Sequence, residues 1–459
     1  MIMGSSKLNS KVFWGKNRLR PRAIKVYQDA IDNEKKSSDE LLSINWQKRK
    51  ELVNFAFNSS PFYFNFYSEA GFYPTDLKHP EDWNNLPVLE KKHVQHSSEL
   101  LISGDSKPQD LLKTTTGGST GVPLRTYRDH RFPEEVIKWR MLRRWNSCPS
   151  DNILMLWRVP NVNSGRFNRL YNRALWFPTE RYKFDVSALT PALLSEIEAI
   201  LVSKRPPIIW GYVGALVELA NHLEAEKISL DYEPLLWATA SPTSRSQYSK
   251  FNKVFGPKIL DQYACSEVHW VAANVPGSRD LVVETDFRHI DIVDGNTSQT
   301  LASGIGDILL TDLENRAFPL IRYRNGDRSS FSSNDCFDRY QNFPRIHPVM
   351  GRRSQTLRSM TGTTVPGEYV TTIFDDHFEY IDQFEVHQKV DFTVDVKVVP
   401  SQKGRDLPME FDKTLEETVD KLHRTLGGNT KVTPIVTSTI PHQRGKLGFI
   451  KSDLDENSE

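Results

Sequence analysis

Cysteine is scarce in this chain of 459 residues, which has three, Cys148, Cys265 and Cys336. They are far apart and odd in number, so they build neither a disulfide framework nor a CxxC metal site, and a reducing compartment is the expectation. Long apolar runs are missing as well. No stretch approaches the roughly 18 residues that cross a bilayer, and the basic N-terminus lacks the apolar segment of a signal peptide. No transmembrane segment and a cytoplasmic location are therefore expected. Net charge is nearly absent too: 59 basic against 58 acidic residues leave +1, which gives no argument for a nucleic-acid partner, and none is expected. His377, His387 and His442 lack the spacing of zinc ligands. The phosphate loop GxxxxGK[ST] and the dinucleotide signature GxGxxG are both absent, so neither a P-loop NTPase nor a dinucleotide fold is supported.

What is present points to more than one domain, because a single core stops growing at roughly 250 to 300 residues. Between Met1 and Gln28 the chain carries Lys7, Lys11, Lys16, Arg18, Arg20, Arg22 and Lys25 with no acid, a solvated basic terminus. Trp46, Leu52, Val53 and Ala56 predict a helix that ends at Ser60-Pro61, where the chain becomes aromatic-rich. From Thr190 onward, helical periods (Leu193 to Ser203, Ala215 to Glu226, Arg245 to Val254) alternate with short apolar runs (Ile208 to Trp210, Leu235 to Ala240, Lys258 to Tyr263). That alternation predicts βαβ units, a parallel sheet and covering helices. Beyond "MGRRSQTLRSMTGTTVPG" the pattern changes. Phe392, Val394, Val396 and Val398 alternate as a strand does, and Phe411, Leu415, Val419, Leu422 and Leu426 trace a helix closed by Gly427-Gly428. "KVTPIVTSTI" supplies another strand. The fold class expected is α/β, with a large N-terminal domain over 1–350 and a small α+β domain over 351–459.

One stretch asks for a chemical explanation. In "LLKTTTGGSTGVPLRTYRD" three glycines let the backbone turn sharply and approach a ligand, while Thr116, Ser119 and Thr120 offer hydroxyl donors to the same point. A loop of that kind either holds a polyphosphate or is an ordinary flexible turn, since Gly/Ser/Thr clusters mark loops in general. Further walls of a nucleotide site are offered by "DQYACSE", where Glu267 follows a predicted strand and could hold magnesium, and by "FPLIRYRNGDRS", where Asp327 could accept bonds from ribose hydroxyls.

The ordered string TTTGGSTGVP, YACSE, TDLENRAFPLIRYRNGD, GRRSQTL and RGKLGFI resembles the adenylate-forming (acyl-CoA synthetase-like) superfamily, and within it the branch of phenylacetate-CoA ligase and the CapK-type proteins of capsular polysaccharide biosynthesis. The likeness runs from about Trp46 to Lys446. It implies that Thr116, Gly117, Gly118, Ser119, Thr120 and Gly121 grip the β- and γ-phosphates of ATP. Ala240, Ser241 and Pro242 would line the adenine and acyl pockets, and Tyr263 would stack on adenine. It further implies that Glu267 positions Mg²⁺, Asp327 binds ribose, Arg352 lies near ribose and phosphate, and Lys446 reaches the carboxylate and α-phosphate during adenylation. Glu267 and Lys446 are the expected catalytic pair.

The implied reaction joins a small-molecule carboxylic acid to AMP, then passes the acyl group to an acceptor thiol, amine or hydroxyl, CoA being one. The setting implied is surface-polysaccharide or secondary metabolism, and a homodimer is among the expected partners. Two other readings stand beside it: an adenylyltransferase that leaves AMP on its substrate, and a weakly catalytic nucleotide-binding protein. Three features depart from the superfamily pattern. Ser354 and Gln355 replace the hinge acid, Leu124 and Arg125 stand where a lysine follows the loop proline, and Ser266 fills a position commonly held by threonine. The tryptophans are read as core, and His269 as a structural residue outside the catalytic list.

Overall fold

In the computed structural model of the protein, which describes residues 7–115, 125–157, 174, 176–186, 191–239, 242–332, 338–352, 357–360, 364–365, 370, 373–374, 377, 379–440 and 450–454, helix and strand alternate after Thr190 as the periodicity predicts. Helices Pro191–Lys204, Val213–Ala225 and Arg245–Phe255 are interleaved with strands Ile208–Tyr212, Leu235–Thr239 and Ile259–Tyr263. Local chemistry sets the boundaries. Ser244 caps the third helix by accepting from the Gln247 amide, and Gly256, at φ 94°, ends it.

Two units divide the chain: Met1–Ser10 with Ser150–Asp261 and Met350–Glu459, and Lys11–Pro149 with Gln262–Val349. In the first, strands Leu235–Thr239, Ile208–Tyr212, Ile153–Trp157 and Arg181–Asp185 pair side by side in parallel, with Ile259, Leu260 and Asp261 alongside Leu236, Trp237 and Ala238. Their sequences are near-continuous apolar runs, the signature of strands covered on both faces. Leu154, Leu156, Ile209, Leu236 and Ala238 pack on Leu216, Leu219, Phe251 and Phe255 of the helices. Gly211 has no alternative, because a Cβ there would lie 2.9 Å from the Leu156 Cβ.

The C-terminal part of the same unit has its own core. Strands Val432–Val436, Val394–Pro400, Ile381–Gln388 and Ile450–Ser452 form a mixed sheet in that order. Helix Pro408–Thr425 lays Phe411, Leu415 and Leu422 on Val386, Val394, Val396 and Val398. Phe392, expected in the strand, instead sits in the preceding turn at φ 66°, its amide donating to the Lys389 carbonyl.

The second unit contains helix Ser38–Ser59, which begins on a Ser37–Glu40 capping box and ends at Ser60-Pro61 as expected. The aromatic segment behind it is itself a helix, Pro61–Glu69. Strands Leu111–Thr115 and Arg125–Asp129 make an antiparallel hairpin with Thr115 opposite Arg125. A three-stranded antiparallel ladder joins Arg288–Val293, Gly306–Asp312 and Tyr323–Ser329. No helix among the described residues is long and apolar enough to cross a membrane.

Candidate functional site

The hairpin strands Leu111–Thr115 and Arg125–Asp129 flank the glycine-rich stretch in sequence. Thr114 and Thr126 share a hydroxyl–hydroxyl bond of 2.7 Å across the strands. Behind it, Asn315 donates to the Tyr127 carbonyl at 2.9 Å, and the Tyr127 ring packs on Phe318. The start of TDLENRAFPL thereby holds the strand that leaves the loop.

Glu267 is set by a tight turn between strands Ile259–Tyr263 and Ala272–Asn274. The Cys265 amide donates to the Val268 carbonyl at 3.0 Å, and the Val271 amide to the Tyr263 carbonyl at 3.0 Å. Gln262 and Tyr263 then pair antiparallel with Ala273 and Ala272. The carboxylate that results is 8% exposed. Its Oε1 accepts from the Tyr323 hydroxyl at 3.1 Å, a residue 56 positions away in sequence, and Oε2 has no partner among the described residues.

Tyr323, Asn325 and Asp327 occupy alternate positions of one strand. The segment before it is fixed by the aromatic helix: the Tyr63 hydroxyl donates to the Pro319 carbonyl at 2.9 Å and accepts from the Ile321 amide at 3.1 Å. Leu89, from "LPVLEKK", brackets the strand start, its amide donating to the Arg322 carbonyl and its carbonyl accepting from the Arg324 amide. Gly326, at φ 86°, lies where the register with Gly306–Asp312 shifts. The shift brings Asn325 and Asp327 together on Tyr263. The Tyr263 hydroxyl donates to Asp327 Oδ2 at 3.0 Å, and Asn325 Nδ2 donates to both, at 2.7 and 2.6 Å.

These groups have fixed protonation. Burial, then the charge of Asp327, pushes the Tyr263 phenol well up, and burial, then Glu267, does the same to Tyr323. Both are donors throughout the physiological range. Burial, then Glu267 and Asp327, also raises the Cys265 thiol, which disfavours its thiolate.

His269 belongs to a neighbouring network. Arg128 donates to its Nδ1 at 2.8 Å, and Arg288 Nε to its carbonyl at 2.9 Å. The Glu134 carboxylate bridges the two guanidiniums, and Asp312 accepts from Arg288 at 2.6 Å. Burial, then Arg128 and Arg288, lowers the imidazole to about 3.

Of the residues expected from sequence, Tyr263, Glu267 and Asp327 come together in the second unit. Pro242 is exposed in the first, just past strand Leu235–Thr239. Arg352 ends strand Met350–Arg352, and its side chain is outside the described set. Thr116, Gly117, Gly118, Ser119, Thr120, Gly121, Ala240, Ser241 and Lys446 also lie outside the described residues, as do Ser354 and Gln355. Tyr323 and Asn325 were missed. The signal for Asn325 is the Asn-Gly pair itself, which marks a turn that aims a short polar side chain.

Among the described residues no group of three or more His, Cys, Asp or Glu could hold a metal ion. Glu267 alone, with one oxygen unengaged, fits the way magnesium binds in nucleotide sites, through one or two carboxylates plus substrate phosphates.

No family model matches the chain. Among solved structures, 2-hydroxyisobutyryl-CoA ligase in the postadenylation state with R3-HIB-AMP is similar over 90% of this chain and 89% of that one, with a TM-score of 0.71 at 16% identity. An anthranilate CoA ligase in complex with anthranoyl-AMP is similar over 75% of this chain and 66% of that one, with a TM-score of 0.52 at 14% identity. The chain is thus similar in fold to these CoA ligases, and it is similar in sequence to two curated proteins. The phenylacetate-coenzyme A ligase of Thermus thermophilus is 23% identical over 91% of this chain and 97% of its own length. Protein CapK of Staphylococcus aureus is 21% identical over 75% of each.

Proposed function

We infer that the protein is an ATP-dependent, AMP-forming ligase that activates a carboxylic acid as an acyl-adenylate and transfers the acyl group to CoA or another acceptor. The observation that carries this reading is the convergence of Tyr263, Asn325 and Asp327, with Glu267 on the same turn as Tyr263. Two motifs far apart in sequence meet, as a nucleotide site needs. Likeness to phenylacetate-coenzyme A ligase over nearly the whole chain supports the acid and CoA as substrates. A setting in surface-polysaccharide or secondary metabolism and a cytoplasmic location belong to the same reading.

ATP enters as its magnesium complex. A carboxylate attacks the α-phosphorus only if the repulsion between two anions is offset, and preorganised charge of that kind contributes on the order of 10²–10³ in rate per group. Glu267, through its unengaged Oε2, would hold magnesium, which when bound would neutralise phosphate charge. Lys446 brings a second cation to the carboxylate and the α-phosphate. Asp327, oriented by Tyr263 and Asn325, accepts from the ribose hydroxyls, and the Tyr263 ring forms a wall for adenine. Thr116 to Gly121 hold the β- and γ-phosphates with backbone amides and hydroxyls. Ala240, Ser241 and Pro242 line the adenine and acyl pockets, and Arg352 adds charge near ribose and phosphate.

The boundary at Gly351 divides a large domain from a small one that carries Lys446. The separate apolar core from Leu357 to Ile450 supports that division. The test is ATP–pyrophosphate exchange across aryl, hydroxy and amino acids, with and without CoA. Acid-dependent exchange, followed by AMP release on adding acceptor, is expected. A protein that binds ATP yet exchanges with no acid contradicts this function.

A further inference from the structure

His269 is fixed more firmly than a packing role needs. Its carbonyl is held by Arg288, its ring by Arg128, and Glu134 ties the two arginines to each other. The four residues close a ring of contacts linking strand Arg125–Asp129, the start of helix Glu135–Arg144 at Glu134, the Glu267 turn, and strand Arg288–Val293. The ring orients one atom. A guanidinium can only donate, so Nδ1 of His269 is an acceptor and the ring's proton resides on Nε2. That Nε2–H has no hydrogen-bond partner among the described residues, and 31% of the side chain is exposed. Two residues span at most about 7 Å of chain, so the donor is rooted beside Glu267. Trp270, at the unusual φ of 52°, sets its ring edge-on to the imidazole at 6.2 Å.

We propose that His269 is a specificity residue whose Nε2–H donates a hydrogen bond to a carboxylate oxygen of the acid being activated, with Arg128 as the positioning residue that fixes its tautomer. The inference rests on the function proposed above and adds a substrate contact to it. No bond is made or broken by His269. It orients the attacking carboxylate so that one oxygen is held and the other faces the nucleotide.

Two substitutions separate this role from a structural one. His269→Asn keeps an acceptor near the place of Nδ1, and so the Arg128 link, but has no N–H where Nε2 lies. His269→Gln supplies an amide N–H near that place and loses the link. Steady-state pyrophosphate exchange is measured with the fastest acid from a panel that includes phenylacetate and 2-hydroxyisobutyrate, alongside ATP affinity and thermal midpoint. His269→Asn is expected to raise KM for the acid about tenfold, the lower end of the worth of a hydrogen bond to a charged group, with KM for ATP and the thermal midpoint unchanged. His269→Gln is expected to stay within about threefold of wild type. A silent Asn variant, or a Gln variant impaired as much as the Asn variant, overturns the proposal and leaves His269 a framework residue. Wild-type protein that binds ATP but exchanges with no acid overturns the functional reading itself, and the donor then has no carboxylate to hold.

Discussion

The Tyr263 hydroxyl donates to Asp327 Oδ2 across 3.0 Å, joining residues 64 positions apart in sequence. The bond fixes the rotamer of a carboxylate that is 7% exposed, and Asn325 donates to the same oxygen from the other side of the turn at 2.6 Å. An acceptor locked in this way binds a diol without further ordering. Asp327→Ala is expected to weaken ATP and AMP binding together by about 1.5–3 kcal/mol, the loss of a charged hydrogen-bond partner. Tyr263→Phe keeps the ring and the Asn325–Asp327 bond, losing both hydroxyl bonds, and should cost less than Asp327→Ala. Calorimetry measures both, and unchanged nucleotide affinity in the alanine variant removes Asp327 from the site.

Glu385 ties together the strand that follows Lys446. Lys397 donates to its Oε1 at 3.0 Å and Lys451, on Ile450–Ser452, to its Oε2 at 2.5 Å. Burial alone would raise this carboxyl, yet the two ammonium groups hold it below its ordinary value of 4.5. Its folded pKa is therefore the lower one. The stabilisation is present above about pH 4.5 and is lost as pH falls through the folded value. Glu385→Gln should be less stable than wild type at pH 7 and should lose less stability than wild type on acidification below pH 4.5. Urea melts at pH 7 and pH 4 read the difference, and parallel losses in the two proteins contradict it.

Rotation of a small domain about Gly351 to Ser354 carries the protein between its two half-reactions in this account. Arg353→Pro fixes φ there and stiffens the segment. Acyl transfer should slow more than adenylation, as separate single-turnover assays of the two steps would register. Equal slowing of both, or of neither, speaks against the rotation.

Much of this was legible in the sequence because periodicity and turn chemistry are local. The boundaries of Arg245–Phe255 follow from Ser244 and Gly256, and the parallel strands from their unbroken apolar runs. The aromatic segment after Ser60 did not read as a helix, since Phe and Tyr on several faces blur the 3.6-residue period; Tyr63 is there to brace Pro319 and Ile321. Convergence of Tyr263, Glu267 and Asp327 was expected only from resemblance, because no local rule pairs residues so far apart. The ring of Arg128, Glu134, His269 and Arg288 was invisible for the same reason. Each residue taken singly is an ordinary surface charge or core histidine.

Lys446 carries the central claim. It lies in "HQRGKLGFI", four residues before strand Ile450–Ser452. A lysine that is only a solvated loop residue changes activity and stability almost not at all on removal, within about 0.5 kcal/mol. A lysine delivered to the reacting carboxylate and α-phosphate behaves otherwise. Lys446→Ala should leave ATP affinity near wild type, lower ATP–pyrophosphate exchange by on the order of 10²-fold or more, and spare transfer from a supplied acyl-adenylate. The deciding measurement is the exchange rate of the Lys446→Ala protein with an acid that wild type activates: a fall of that size is the predicted result, and exchange at the wild-type rate contradicts the mechanism.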